Sequence, residues 1–357
     1  MDFSLFYFAN DSTEGSGDRY ELLMEGARFA DRNGFSAVWT PERHFHPFGG
    51  LYPNPSVTGA AIAAVTERVG IRAGSVVAPL HHPLRIAEEW SVVDNLSHGR
   101  VGLSFASGWH ATDFALRPEN YENRREILLE QVEQVRALWR GEKIAVTDGV
   151  GAAQELGIFP PPVQSELPVW VTSAGGVETF RNAGRSGAGL LTHLLGQDLD
   201  DLAGKIAEYR EAAAGLGRPG WNGHVALMVH AFLGEDEDAV RETVRAPLGD
   251  YLRSSLGLLL GSRLDGRRVD ASKLSPEDID FIVARSFDRY FDDGGLLGTV
   301  EKAEPMVERF RAIGVDEVAC LIDFGLPTPA VLASLEHLNR LRERSAAGAA
   351  RVAAPAA

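Results

Sequence analysis

The stretch that decides the fold is Gly-Arg-Val-Gly-Leu-Ser-Phe-Ala-Ser-Gly-Trp-His-Ala-Thr-Asp-Phe, residues 99–114. Its apolar run, Val101 to Phe105, predicts a buried strand. Three small residues follow, and then an aromatic ring, an imidazole and a carboxylate: Ala106, Ser107, Gly108, Trp109, His110 and Asp113. Ligands of α/β folds bind at the carboxyl ends of parallel strands, so small residues there leave room for a flat ligand. The alternative is a buried strand followed by an ordinary loop.

Strand and helix patterns alternate on both sides of this stretch, with roughly eight of each. This alternation predicts an α/β fold, a (β/α)8 TIM barrel with insertions, and a doubly wound open sheet is the alternative. We expect one barrel domain over residues 1–345, with an irregular insertion at about 141–166 and a candidate lid at about 235–298. The alanine-rich residues 346–357 are expected to form a disordered tail.

Composition narrows the function. The net charge of −15 and the isoelectric point near 5.1 argue against nucleic acid as a partner, because phosphates need a basic face. A single cysteine, Cys320, excludes an internal disulfide framework and a cysteine-based metal cage. No apolar stretch is long enough to span a bilayer, and residues 1–8 lack the features of a secretory signal. We therefore expect a cytoplasmic protein with no membrane partner.

Two motifs follow other strand ends. The loop Ser173-Ala174-Gly175-Gly176 stands between a strand and a helix, where backbone N–H groups favour phosphate, and Thr179 could add a hydroxyl. The alternative is an ordinary strand–helix turn.

The second motif is a polar cluster after the second strand. His44 and His46 lie beside Glu42 and Arg43, a combination suited to acid–base work or to a metal, or else to a hydrogen-bonded surface loop. Other histidines are weaker candidates: His81 and His82 are expected to be structural, and His193 follows a strand end.

Common signatures of other chemistries are missing from the sequence. No Gly-x-Gly-x-x-Gly follows a strand, and there is no P-loop, no Gly-x-Ser-x-Gly elbow and no His-Glu-x-x-His helix. We therefore expect no dinucleotide fingerprint and no resident metal.

From Phe3 to about Asn339 the sequence resembles the bacterial luciferase-like flavin monooxygenases, most closely the branch found in natural-product biosynthesis. The motifs that carry this resemblance are Trp39-Thr40-Pro41-Glu42-Arg43-His44-Phe45, His82-Pro83-Leu84-Arg85, Asp94 to Arg100, Ser107-Gly108-Trp109-His110 with Asp113-Phe114, Val169 to Gly175, Leu191 to Gln197, and Ala319 to Gly325.

The resemblance implies a barrel that binds FMN at the carboxyl ends of its strands. It places a non-proline cis peptide at Gly74-Ser75, near the flavin ring, with Phe6, Ala106 and Ser107 against the ring. The phosphate would lie at residues 173–176 with Thr179. Two departures stand out: Arg43 replaces the first of two adjacent luciferase histidines, and Ser107 replaces an arginine that helps to hold the phosphate.

The function implied is a monooxygenase that uses reduced FMN and O₂. His44 and His110 are the expected proton-transfer groups, supported by Glu42 and Asp113. The expected substrate is a polyketide- or peptide-type intermediate. One possibility is that this intermediate is bound to a carrier protein. A separate flavin reductase and a homodimer are the expected partners. The alternatives are a deazaflavin-dependent hydride-transfer oxidoreductase on the same fold and a non-catalytic flavin-binding protein.

Overall fold

The computed structural model describes residues 1–8, 18–46, 49–173, 175–255 and 274–353. Its strands are β1 (Asp2–Phe6), β2 (Ala37–Thr40), β3 (Gly70–Val77), β4 (Val101–Ala106), β5 (Ile144–Thr147), β6 (Ala153–Leu156), β7 (Val169–Thr172), β8 (Gly189–His193), β9 (Val225–Leu233), β10 (Leu296–Gly298) and β11 (Glu317–Leu321).

Eight of these strands close into a parallel barrel in the order β1, β2, β3, β4, β7, β8, β9, β11. The ring closes because β9 pairs with β8 on one side and with β11 on the other, and β11 pairs with β1. Strand β10 pairs with the carboxyl end of β9. The (β/α)8 barrel predicted from the alternating pattern is confirmed, and the open doubly wound sheet is wrong.

Helices connect and surround the strands: α1 (Glu21–Asn33), α2 (Pro55–Ala63), α3 (Pro83–Ser97), α4 (Arg124–Trp139), α5 (Val177–Arg185), α6 (Leu199–Ala214), α7 (Glu237–Ser254), α8 (Pro276–Arg289), α9 (Val300–Ala312) and α10 (Thr328–Ala353). None of these helices combines the length and the apolar character needed to cross a membrane.

A buried carboxylate organises the amino-terminal end of the barrel. Glu317, at the start of β11, accepts hydrogen bonds from Ser4 Oγ at 2.5 Å, Trp39 Nε1 at 2.9 Å and Arg72 Nη1 at 2.6 Å. The Arg72 guanidinium also lies over the rings of Trp39 and Trp170. A buried charge needs partners, and these side chains supply them to Glu317. The cluster fills the barrel interior away from the carboxyl-end mouth.

The motif Asp94 to Arg100 has a packing role. The Asp94 carboxylate accepts hydrogen bonds from the Val163 and Gln164 backbone N–H groups and from the Gln164 side chain. Arg100 donates to the carbonyls of Thr66 and Val69. The Asp94 bonds fasten the 141–166 segment, which carries the antiparallel β5–β6 hairpin, to α3, and the Arg100 bonds join the start of β4 to the segment before β3.

Two segments differ from their predicted form or lie partly outside the described residues: the carboxyl-terminal tail and the candidate lid. Helix α10 continues to Ala353, over most of the segment for which the sequence predicts a disordered tail, because alanine favours helix. Residues 354–357 lie outside the described residues. The candidate lid at 235–298 contains α7, α8 and β10, but residues 256–273 lie outside the described part of the chain.

Candidate functional site

A cavity of about 240 Å³ lies at the carboxyl-end mouth of the barrel. Its lining comes from many strand ends and from α7: Phe6, Phe8, Pro41, Glu42, Gly74, Ser75, Val77, Ala106, Ser107, Gly108, Trp109, Thr172, Leu191, Thr192, His193, Leu195, Met228 and Tyr251. The apolar residues among them outnumber the polar ones, which suits a flat organic ligand.

The residues predicted to lie against a flavin ring all reach this cavity. Phe6, Gly74, Ser75, Ala106 and Ser107 line it together, from three strand ends. The Gly74–Ser75 peptide is cis, and the β3–β4 register shifts there. A Cβ placed on Gly74 would lie 2.7 Å from Phe6, so only glycine fits this close approach.

A chain of hydroxyl groups continues from this point. Thr172 Oγ1, at the end of β7, is hydrogen-bonded to Ser75 Oγ and, at 2.7 Å, to Ser104 Oγ. Thr172 lines the cavity and was not among the site residues predicted from the sequence. The signal that could have found it is its position at the end of a strand, directly before the glycine loop.

Glu42 is the centre of the acid–base group. Its side chain is fully buried and accepts hydrogen bonds from His44 Nε2 at 2.8 Å, His81 Nε2 at 2.6 Å and the Val77 N–H at 2.7 Å. Burial opposes the charge, but these bonds prevail, and the pKa of Glu42 lies below its ordinary value. Glu42 is therefore a carboxylate that orients two imidazoles.

His81 is a site residue that sequence reasoning missed. It was expected to be structural because it precedes Pro83, yet it reaches Glu42 from the end of β3. Burial opposes its charge, but the hydrogen bond and the charge of Glu42 raise the pKa of His81. Its neighbour His82 does have a structural role, because His82 Nδ1 accepts a hydrogen bond from the Leu84 N–H at the start of α3.

Asp113 is paired with the residue that departs from the luciferase pattern. Its carboxylate receives a hydrogen bond from Arg43 Nη1, and both side chains are buried. Burial raises the pKa of Asp113, although the Arg43 charge works against the rise. The Arg43 guanidinium also lies 5.8 Å from the Trp109 ring centroid. Asp113 thus holds Arg43 rather than His110.

His110 packs among rings and does not appear in the cavity lining. Its ring centroid lies 3.5 Å from that of Trp109 and 6.5 Å from that of His46, with which it is stacked. Burial, with the nearby charges of Arg43 and His46, lowers the pKa of His110 to about 4. The imidazole is therefore neutral near pH 7.

The glycine loop leads into α5 as expected. Thr172, directly before the loop, lines the cavity, but the described residues of the loop itself do not. Gly176 occupies the N-cap position without a side-chain cap, and a Cβ placed on Gly175 would meet nothing within 4 Å. The start of α5 therefore has no side-chain cap among the described residues, and an anion is favoured at such a helix start. Ala174 lies outside the described residues.

The opposite wall contains a histidine that the sequence marked only as a weak candidate. His193 ends β8 and lines the cavity with Leu195, Met228 and Tyr251. His193 Nδ1 accepts a hydrogen bond from the Leu195 N–H at 3.1 Å. Burial, with a smaller contribution from the Lys205 charge, lowers the pKa of His193 to about 4, although a backbone hydrogen bond at Leu195 acts in the opposite direction.

Within the described ranges, no three His, Cys, Asp or Glu side chains come together in a way that could hold a metal ion. The His44 imidazole, considered as a metal ligand in the sequence, is instead held by Glu42.

Known proteins resemble this chain along its length. A flavin-dependent trigonelline monooxygenase, oxygenase component, of Acinetobacter baylyi is 24% identical over 95% of this chain and 93% of its own. An F420-dependent hydroxymycolic acid dehydrogenase of Mycobacterium tuberculosis is 28% identical over 62% of both chains. Both cofactor classes are therefore represented among its relatives.

Solved structures share the fold. The oxygenating constituent of 3,6-diketocamphane monooxygenase of Pseudomonas putida, in complex with FMN, superposes with a TM-score of 0.72 at 18% identity, covering 94% of this chain and 97% of that one. The model of the family described as luciferase-like monooxygenase matches residues 1–317. With this match and the closed barrel, the chain belongs to the luciferase-like monooxygenase family.

Proposed function

We propose that the protein is the oxygenase component of a two-component monooxygenase, which uses reduced FMN and O₂ to oxygenate an organic substrate. The observation that carries this proposal is the convergence of Phe6, Gly74, Ser75, Ala106 and Ser107 on one cavity at the barrel mouth. These are the residues that the family resemblance assigns to the flavin ring. The flavin-dependent relative named as an oxygenase component supports the same reading.

The residues present fit a flavin mononucleotide. Gly74 leaves the space beside Phe6 open, and the small side chains of Ala106 and Ser107 leave room for a flat ring. The uncapped start of α5 and the Thr179 hydroxyl would hold the phosphate. Glu178 in the same turn is paired with Arg181 and Arg185, which limits its repulsion of an anion.

When bound, reduced flavin supplies the two electrons with which O₂ is activated. The chain's own contribution is to bind the ring, to exclude water and to handle a proton. His44 Nε2, held by the Glu42 carboxylate, is the group we assign to proton transfer. His110 is a weaker candidate than the sequence indicated, because it packs against Trp109 and is neutral near pH 7.

The substrate we propose is a polyketide- or peptide-type intermediate, oxygenated by hydroxylation or by oxygen insertion. Trp109, which is 44% exposed at the mouth, could contact a carrier protein that delivers it. We further propose a homodimer through the early helices and a cytoplasmic location. These proposals rest on the family branch that the sequence resembles.

A deazaflavin-dependent hydride-transfer enzyme is the second candidate. The F420-dependent relative favours it. The polar group of Glu42, His44 and His81 could position a proton in either reaction.

Equilibrium titrations with FMN, reduced FMN and reduced F420 separate the two candidates. We expect reduced FMN to bind at least tenfold more tightly than reduced F420, a difference of about 1.4 kcal/mol. Reduced FMN should also be oxidised by O₂ on the protein. Tight binding of F420 alone would establish the second candidate, and binding of FMN without any change in its reaction with O₂ would indicate a non-catalytic flavin carrier.

A further inference from the structure

The cavity wall opposite the predicted flavin side is mostly apolar, and its one imidazole is that of His193. Around the barrel, β9 lies four strands from β3, and β8 lies four strands from β2, so each pair faces across the mouth. Met228 on β9 therefore faces the Gly74–Ser75 edge, and His193 on β8 faces the end of β2 that leads to Glu42. A molecule between the two walls would touch both.

The proton on His193 can be placed from its hydrogen bond. Nδ1 accepts from the Leu195 N–H, so this nitrogen carries no hydrogen. Burial keeps the ring neutral, with a pKa of about 4, so the one ring proton is on Nε2. Nε2 has no hydrogen-bond partner among the described residues, and it is not one of the fully buried polar atoms that lack a partner. No residue in the described ranges competes with a cavity ligand for this N–H.

Two hydroxyl oxygens near this wall already take part in hydrogen bonds within the protein. Thr192 Oγ1 accepts a hydrogen bond from Gln197 Nε2, and Thr172 Oγ1 is bonded to Ser75 and Ser104. Around the His193 ring lie Leu195, Met228 and Tyr251, which offer apolar and aromatic surface. A substrate oxygen placed on this wall would find one free imidazole N–H in apolar surroundings, where a hydrogen bond is most selective.

We propose that His193 is a specificity-determining residue whose Nε2–H holds a carbonyl or phenolic oxygen of a flat aromatic substrate. This inference rests on the proposed function, because it places the substrate between the flavin and the β8–β9 wall. It narrows the substrate class to aryl ketones and related oxygenated aromatics. It also makes His193 a binding residue, with proton transfer left to the Glu42–His44 pair on the other side of the mouth.

A matched pair of ligands tests the proposal by binding alone, so it does not depend on turnover. The probes are 2-acetylnaphthalene and 2-isopropenylnaphthalene, which have similar shapes and differ in a C=O against a C=CH₂ group. Dissociation constants are measured on the FMN-loaded protein by ligand-observed NMR. We expect the ketone to bind about tenfold more tightly, because the alkene leaves the N–H without an acceptor.

Two variants separate the two ring nitrogens. The amide oxygen of His193→Asn can replace Nδ1 as the acceptor for Leu195 but cannot reach the position of Nε2. The amide of His193→Gln reaches the Nε2 position with a donor but loses the Leu195 bond. We expect His193→Asn to abolish the tenfold preference for the ketone and His193→Gln to keep most of it. His337→Asn on α10, outside the cavity, is the matched control and should leave the preference unchanged.

If His193→Asn kept the preference for the ketone and His193→Gln lost it, His193 would only hold the loop after β8, and the proposal would be overturned. A loss of FMN affinity in His193→Asn, with the ligand preference intact, would assign the N–H to the flavin and would also overturn it. If the ligand preference behaves as expected but no oxygenation is found, the binding inference stands and the proposed monooxygenase activity fails.

Discussion

At the scale of single residues, Glu42 is the side chain on which the acid–base group depends. It is buried, and its three hydrogen-bond donors come from two different strand ends. The charged forms of Glu42 and His81 stabilise each other, because Glu42 has a lowered pKa and His81 a raised one. This coupling makes the stability of the protein depend on pH in a defined window.

We expect the difference in stability between wild type and the His81→Gln variant to be largest between about pH 5 and pH 6.5. The Glu42 contribution is complete above its ordinary pKa of about 4.3 and is lost as the pH falls through its lower folded value. The His81 contribution is complete below its ordinary pKa of about 6.5 and is lost as the pH rises through its higher folded value. Thermal unfolding from pH 4 to pH 9 measures the difference in Tm.

The control is the same substitution in a Glu42→Gln background. Without the carboxylate, the effect of His81→Gln should become nearly independent of pH, because the coupled charge is gone. An effect that keeps its pH dependence in the double variant would mean that another group, not Glu42, sets the pKa of His81.

The two candidate proton-transfer histidines should differ in their effect on the reaction. We expect His44→Ala to slow the oxygenation of 2-acetylnaphthalene by about a hundred- to ten-thousand-fold, a range typical of general acid–base groups. His110→Ala should cost less than about tenfold, because His110 is neutral and packs between Trp109 and His46. Single turnovers of the protein loaded with chemically reduced FMN give the rates of product formation.

FMN binding, measured by fluorescence, should be nearly unchanged in both variants and serves as the control for folding. Equal losses in the two variants would return His110 to the role that the sequence assigned to it. Full activity in His44→Ala would show that the Glu42–His44 pair is structural.

At the scale of elements, the start of α5 carries the predicted phosphate site. Thr179 Oγ1 lies 3.6 Å from the position that a Gly176 Cβ would occupy, so the hydroxyl faces the entry of the helix. We expect Thr179→Ala to weaken FMN binding about fivefold, the loss of one hydrogen bond, and to leave riboflavin binding unchanged. The ratio of the two dissociation constants is the measurement.

Thr243→Ala on α7 is the matched control, because its hydroxyl donates to the Ala239 carbonyl within the helix. Equal weakening of FMN and riboflavin by Thr179→Ala would show that Thr179 supports the ring site instead of the phosphate. No weakening of either would place the phosphate elsewhere.

Strand β3 sets the space for the flavin ring through Gly74. We expect Gly74→Ala to destabilise the fold by about 1–3 kcal/mol and to raise the FMN dissociation constant at least tenfold, because overpacking forces neighbours to shift. The new methyl group would lie 2.7 Å from Phe6 and 3.2 Å from Trp39. Chemical denaturation and FMN fluorescence measure the two effects.

Gly204→Ala on α6 is the control for a glycine in open space. Nothing lies within 4 Å of its added Cβ, so this variant should be more stable by about 0.5–1 kcal/mol with unchanged FMN binding. If Gly74→Ala bound FMN as wild type does, the ring would not lie at this strand.

At the scale of the whole molecule, the sequence predicted what local pattern determines. Apolar runs and their small-residue ends predicted the barrel and a ligand site beside Ala106 and Ser107, and the family resemblance added Phe6 and Gly74, which line the same cavity. The glycine loop predicted the uncapped start of α5. These features depend on neighbours in sequence and on one general rule about parallel strands.

Features that the sequence did not predict depend on contacts between loops. His81 looked structural because its partner, Glu42, follows a different strand. The sequence predicted that Asp113 supports His110, but Asp113 pairs with Arg43, whose long side chain reaches it from the end of β2. His193 could be recognised as a donor only when Nδ1 was seen to accept from Leu195. No spacing rule encodes such pairs.

The barrel as a whole should depend on an external supply of reduced flavin. The sequence has no strand–Gly-x-Gly-x-x-Gly–helix unit for NADH or NADPH, and the strands of the sheet are used to close one barrel. We therefore expect the pure protein, given FMN, NADH or NADPH, and O₂, to oxidise nicotinamide no faster than free FMN does. Absorbance at 340 nm follows the reaction, and addition of a flavin reductase is the positive control that should start both nicotinamide oxidation and oxygenation of 2-acetylnaphthalene. Rapid oxidation of nicotinamide by the protein alone would replace the two-component proposal with a self-sufficient flavin oxidoreductase.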